Sequence, residues 1–248
     1  MDRITGSSAA APRTPEQRLA DVRVRIDAAC ASAGRDPADV TLIAVGKGMP
    51  AERITEILAL GVADIGENKA QEASDKAVQI AELAPDLTPR WHFIGQLQRN
   101  KARSVAGFAS MVHSVDRLAL VTALDRAAAS RSQPLDVLLQ LDLDPDPDPT
   151  RGGVDPPDLA ALAEAVLGVE HLVLCGVMTV APPGVDAREA FDRLVGYSQV
   201  LQAIQPSAHV VSAGMSGDLE AAISAGATHV RVGTALFGAR KLASEHRP

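Results

Sequence analysis

Aromatic residues are scarce in this sequence: they make up 2% of its 248 positions, with a single Trp at Trp91 and a single Tyr at Tyr197. Binding of single-stranded nucleic acid by stacking needs a series of rings, so that class is excluded. Cysteine is almost as rare. Cys30 and Cys175 stand far apart and in no Cys-x-x-Cys pair, which leaves no metal framework and no disulfide pattern of a small secreted domain. No apolar run reaches the roughly eighteen residues of a membrane span, and residues 1–13, MDRITGSSAAAPR, lack the apolar centre of a signal peptide. Lys and Arg occur only in scattered pairs on a chain of net charge −7, so no basic face for a phosphate backbone is expected. His-Glu-x-x-His, Gly-x-Ser-x-Gly and Walker loops are missing too. These absences predict a cytoplasmic protein without nucleic-acid or membrane partners, preceded by a disordered tail over residues 1–13.

What is present is aliphatic. Hydrophobic residues make up 46% of the chain, enough for one large core, and a (β/α) barrel of roughly 250 residues commonly forms one domain. Thr14-Pro15 with Gln17 has the capping-box pattern, and Leu19, Val22, Ile26 and Cys30 then recur at helical spacing up to Gly34. Beyond it, eight short apolar runs alternate with segments able to hold one helix each: Thr41–Val45, Ala63–Ile65, Trp91–Ile94, Met111–Ser114, Val137–Leu141, Leu172–Val177, His209–Ser212 and Thr228–Val232. Strands alternating with helices pair in parallel through right-handed crossovers, and eight such units close a barrel. The alternative is a doubly wound open sheet. It usually carries a glycine-rich turn after its first strand, and Val45-Gly46-Lys47-Gly48-Met49 does not fit G-x-G-x-x-G. The expectation is therefore an α/β fold, a single (β/α)8 TIM-type barrel over residues 14–248 with an extra N-terminal helix.

In such a barrel, function collects at the carboxyl ends of the strands. Lys47 directly follows the first strand, where an apolar wall would bury its amine in neutral form and leave it nucleophilic toward an aldehyde, either a sugar carbonyl or pyridoxal phosphate. At the far end of the chain, Ala213-Gly214-Met215-Ser216-Gly217-Asp218-Leu219 and Val232-Gly233-Thr234-Ala235-Leu236-Phe237-Gly238 follow the last two strands. Loops in those two places, each opening a short helix, recurrently cradle phosphate. Arg231 lies inside the last strand, where an inward charge needs an acceptor. A pyridine nitrogen could be that acceptor, and a guanidinium there would keep the ring unprotonated; an interior salt bridge, for example with Glu67, is the structural alternative. By contrast, Asp144, Asp146, Asp148 and Asp155 mimic calcium-loop spacing, yet prolines alternate with them and Pro149 stands where that loop needs Gly. Residues 142–153 read instead as a stiff, solvated loop.

These stretches together resemble the pyridoxal phosphate homeostasis protein family, whose fold is like the N-terminal domain of alanine racemase. The resemblance rests on Leu42-Ile43-Ala44-Val45-Gly46-Lys47, Ile65-Gly66-Glu67-Asn68 with Gln71-Glu72, Trp91 through Lys101, and Ser212 through Glu220 with Val230 through Arg240. It implies that Lys47 carries pyridoxal 5′-phosphate as a Schiff base and that Arg231 faces the pyridine nitrogen. It further implies that Ser212, Gly233 and Thr234 hold the phosphate, with Asn68, Met215 and Ser216 nearby and no metal. The implied role is to buffer the cofactor or deliver it to pyridoxal-phosphate-dependent apoenzymes, as a monomer and without an established turnover. There are departures: Gly46 stands where the family often has Ser, and Arg151 where a lysine is common. Two enzyme readings compete. A racemase needs a second base, and Tyr197 lies in a predicted helix; a Schiff-base aldolase would pair Lys47 with Glu67 as acid/base.

Overall fold

The computed structural model describes residues 13–146 and 151–238. Eight parallel strands close a barrel in chain order: β1 (Thr41–Val45), β2 (Asp64–Glu67), β3 (Arg90–Phe93), β4 (Met111–Val115), β5 (Leu135–Gln140), β6 (Leu172–Met178), β7 (Val210–Ser212) and β8 (His229–Val232). Closure is made by β8 pairing with β1, in register from Thr41 with His229 to Ala44 with Val232. All eight apolar runs are strands, with no end displaced by more than two residues. The second run extends to Glu67 because Gly66 and Glu67 pair with His92 and Phe93, a partnership that apolar spacing cannot reveal. At Gly176, φ is +154° and a Cβ would lie 1.9 Å from the Val210 carbonyl oxygen, so glycine there is what lets β6 approach β7.

Helix α1 (Pro15–Ser32) begins with the predicted reciprocal cap between Thr14 and Gln17 and buries Leu19, Val22, Ile26 and Cys30. It packs against α8 (Leu219–Ala225) and α9 (Thr234–Phe237), outside the seam where β8 meets β1. Polar bonds add to the packing on α8: Arg25 pairs with Glu220 and donates to the Ser216 carbonyl at 2.9 Å, and Arg35, just beyond α1, donates to the carbonyls of Ile223 and Ala227. The extra helix thus braces the loops that follow β7 and β8. Arg13, the last residue of the predicted tail, pairs with Asp21 on α1; residues 1–12 lie outside the described residues. Among the described residues no helix is long and apolar enough to cross a membrane.

At its two ends the segment between Leu141 and Val154 departs from the predicted solvated loop, while Pro145 and Asp146 are exposed. Leu143 is buried in the core and Val154 pairs with Leu141, so the segment is anchored at both ends by apolar contacts. Arg151 reaches Asp144 at 3.5 Å and the Val180 carbonyl at 3.2 Å. The Asx turns at Asp142 and Asp144 satisfy backbone amides locally, while Asp148 and Pro149 lie outside the described residues.

Candidate functional site

At the carboxyl ends of β1, β3, β7 and β8 lies a cavity of about 380 Å³ lined by Lys47, Arg231, Ser216, Gly217, Gly233 and Thr234 among polar and small residues, and by Val45, Met49, Ile94, Met215 and Phe237 among apolar ones. Its size falls within the roughly 300–1,000 Å³ of small-molecule pockets. Size alone does not select it. A hollow of about 690 Å³ sits on the outer helices α4 (Ala102–Phe108) and α5 (Leu118–Ala128), away from the strand ends where this fold assembles its chemistry.

The structure brings together Lys47, Met215, Ser216, Arg231, Gly233 and Thr234 on one cavity wall system. Lys47, however, is exposed and not buried as expected, because the chain leaves the barrel at Gly46 and carries the side chain onto the rim. It makes no hydrogen bond or ion pair among the described residues, so its amine is available to a ligand. Arg231 is 4% exposed and has no carboxylate partner among the described residues; it donates to the Ser212 hydroxyl at 2.8 Å and the Thr179 carbonyl at 2.8 Å. Burial lowers its pKa to about 10, which leaves it charged at neutral pH.

Opposite Lys47, the two glycine loops present backbone. Gly214 has φ +86°, and a Cβ there would meet the Ala222 methyl at 2.6 Å, so the turn into α8 requires glycine. The Ser216 hydroxyl joins the two loops by accepting from Ala235 N–H and from the Thr234 hydroxyl, each at 3.4 Å. The N–H groups of Ser216, Gly217, Gly233 and Thr234 have no acceptor among the described residues. A cluster of unpaired amides beside two hydroxyls suits an anion such as a phosphate.

Two predicted residues sit elsewhere. Ser212 is fully buried and outside the cavity lining, and its hydroxyl is engaged inside the barrel by Arg231 and by His113 Nδ1 at 2.9 Å. Asn68 does not line the cavity; its Oδ1 is buried without a partner, and its backbone crosses so close to Gly95 that a Cβ at Gly95 would lie 2.2 Å from the Asn68 oxygen. The predicted alternative for Arg231 fails as well. Glu67 is fully buried and its Oε1 takes the Lys76 ammonium at 2.6 Å, which both occupies the partner proposed for Arg231 and encloses the acid/base required by the aldolase reading. Burial raises the Glu67 pKa, with Lys76 opposing. Tyr197 packs against the core from α7 (Ala187–Ile204), away from the cavity lining.

Lys76 is the residue that sequence reasoning missed. Its Nζ donates to the Gly46 carbonyl at 2.7 Å, Glu67 at 2.6 Å and Glu72 at 2.7 Å, while Glu72 accepts from Gly48 N–H at 2.5 Å. The backbone on both sides of Lys47 is therefore held by one buried ion cluster. Gly46 is part of this arrangement: a Cβ would lie 2.7 Å from Ile54 Cδ1 and 3.1 Å from Glu67 Oε1, so a serine there would require the Ile54 side chain to turn aside and would crowd the Glu67 carboxylate. A signal existed in the sequence. On α3 (Ala70–Leu83), Lys76 falls in the buried stripe Ala70, Ala73, Lys76, Ile80, and a lysine on an apolar stripe must be paired.

The family described as "Alanine racemase, N-terminal domain" matches residues 25–241. A pyridoxal phosphate homeostasis protein of Pseudomonas aeruginosa is 42% identical over 227 residues, covering 92% of this chain and 96% of that protein. One of Mycobacterium leprae is 42% identical over 241 residues, covering 91% and 93%. The solved structure of PipY from Synechococcus elongatus PCC7942 with pyridoxal phosphate bound superposes with a TM-score of 0.76 at 35% identity, covering 91% of this chain and all (100%) of that one.

Proposed function

This chain belongs to the pyridoxal phosphate homeostasis protein family, and on that premise we propose that it binds pyridoxal 5′-phosphate covalently through Lys47 at the barrel mouth and serves as an intracellular reservoir of the cofactor. The observation that carries this reading is one cavity uniting a lysine amine and two loops of backbone amides, all unpaired among the described residues, with a buried guanidinium. When bound, the cofactor supplies an aldehyde that condenses reversibly with an amine, releasing water. Among the described residues Lys47 is the one lysine on the cavity wall, and the Lys76 cluster fixes its backbone. Ser216 and Thr234 hydroxyls, with the amides of Ser216, Gly217, Gly233 and Thr234, fit the phosphate. Arg231 fits the ring nitrogen as a donor that cannot give up its proton, which disfavours carbanion chemistry.

The role that follows is carriage, not turnover. No tyrosine stands at the mouth to act as a second base, and Glu67 is committed to Lys76. We place the protein in the cytoplasm as a monomeric one-domain barrel that exchanges cofactor with pyridoxal-phosphate-dependent apoenzymes. The test is optical. Purified protein given the cofactor should develop visible absorbance that Lys47→Ala lacks while its far-ultraviolet circular dichroism stays unchanged. A wild-type spectrum in Lys47→Ala, or no uptake by the wild type, would overturn the reading.

A further inference from the structure

A line of polar side chains runs through the interior of the barrel, where the fold normally packs aliphatic layers. At the amino-terminal end of the strands, a second cavity of about 220 Å³ is lined by Asp64, Arg90, His92 and His229 among others. There Asp64 accepts from Arg90 Nε at 2.8 Å and meets His92 Nε2 at 2.9 Å. His92 Nδ1 meets His113 Nε2 at 2.9 Å, His113 Nδ1 meets the Ser212 hydroxyl at 2.9 Å, and that hydroxyl accepts from Arg231 at 2.8 Å. Five residues from β2, β3, β4, β7 and β8 thus connect the two ends of the barrel.

Counting protons gives this line a direction. Asp64 is held as a carboxylate: burial would raise its pKa, but the hydrogen bonds from His92 and Arg90 outweigh burial and hold it at about 2. A carboxylate only accepts, so His92 carries its proton on Nε2. Burial keeps His113 far below the usual imidazole range, hence neutral. If His92 were also protonated on Nδ1, His113 would have to donate from Nδ1 to Ser212. The Ser212 oxygen would then receive two donors, from His113 and from Arg231, and its own proton would have no acceptor among the described residues. Stranding a buried hydroxyl proton is costly. With His92 neutral, every proton is used: Arg231 donates to Ser212, Ser212 to His113, His113 to His92 and His92 to Asp64.

We infer that His113 and His92 are positioning residues for Arg231, a one-way hydrogen-bond relay that pins the guanidinium at the ligand cavity and ends on the Asp64 carboxylate at the opposite end of the barrel. Among the described residues Arg231 is otherwise a buried cation without an ion pair, and aligned hydrogen bonds spread its charge toward a distant anion. The role assigned to Arg231 rests on the cofactor reading above; the proton arrangement does not.

Nitrogen-15 NMR of the histidine rings in the cofactor-free protein at neutral pH tests the relay directly. Both His92 and His113 should be protonated at Nε2 and bare at Nδ1; a proton on Nδ1 of either ring overturns it. Cofactor titration adds the second arm. His113→Leu should bind pyridoxal phosphate about tenfold more weakly with a shifted absorbance, the scale expected when the buried Ser212 hydroxyl and His92 ring nitrogen lose their shared partner. His113→Gln, whose amide can donate to His92 and accept from Ser212, should stay within about threefold of wild type for the same reason. Wild-type binding by His113→Leu, or equal loss in both variants, overturns the inference. Should His113→Leu not fold, Ser212→Ala, which deletes one buried hydroxyl, should show the same loss, and wild-type binding there overturns it. A wild type that takes up no cofactor would defeat the cofactor reading, while the ring-nitrogen assignments would still judge the relay.

Discussion

The two rims of the mouth are built from different materials. The Lys47 rim is held by side chains: Lys76, Glu67 and Glu72 grip the backbone on either side of the lysine. The rim after β7 and β8 is held by backbone, with glycine turns, helix starts and the Ser216 hydroxyl bridging them. A side-chain device concentrates its hold in one ion, so a single substitution should dismantle it. A backbone device spreads its hold over many amides and fails only where a glycine is lost.

The largest expected effect is therefore at Lys76. Lys76→Met leaves Glu67 buried without its cation, and removing one partner of a buried pair costs about 3–5 kcal/mol; chemical denaturation should show that loss. The double variant Glu67→Gln with Lys76→Met should recover more than half of it, whereas additive losses would show that the two do not act as a unit. Next comes the other rim. Gly214→Ala must adopt a positive φ and displace Ala222, at a cost of about 1–3 kcal/mol, with cofactor affinity falling alongside; an unchanged melting temperature would mean that the turn is not under this constraint. Ser216→Ala removes only the bridge between the loops and should cost about 0.5–1 kcal/mol, visible chiefly as weaker phosphate-dependent binding. A larger loss of stability than in Gly214→Ala would reverse the ranking.

Acid should separate the rims most gently. Burial would raise the Glu72 pKa, but the bonds from Lys76 and Gly48 outweigh it and hold the carboxyl below its ordinary 4.5. A depressed carboxyl contributes its stabilisation above 4.5 and loses it as pH falls through the folded-state value. The Gly48 amide should thus lose protection from hydrogen exchange on acidification below about pH 4.5, while the Phe237 amide, bonded to the Gly233 carbonyl, keeps its own. Simultaneous loss at both would erase the distinction.

How much of this was legible in the sequence follows the same division. The barrel was legible because eight short, mostly apolar runs alternate with segments long enough for a helix, and the backbone rim because glycines and a serine follow the last two strands. Lys47 and Arg231 stood out as charges in apolar surroundings. What could not be read were partners fixed by barrel closure: Lys76 meeting Gly46 from thirty residues away, or Ser212 meeting His113 across the interior instead of facing the rim. Strand order tells which residues lie at the mouth, but whether a side chain points to the rim or to the axis depends on register and shear. The burial expected for Lys47 failed for a related reason: apolar flanks describe the strand below it, not the turn that carries it outward.

Borohydride reduction of the cofactor-loaded protein, followed by proteolysis and mass spectrometry, goes straight to the amine. The added mass of reduced pyridoxyl phosphate should lie on the peptide containing Lys47 and on no other. Its appearance instead on Lys69, Lys76, Lys101 or Lys241 would contradict the assignment of the site.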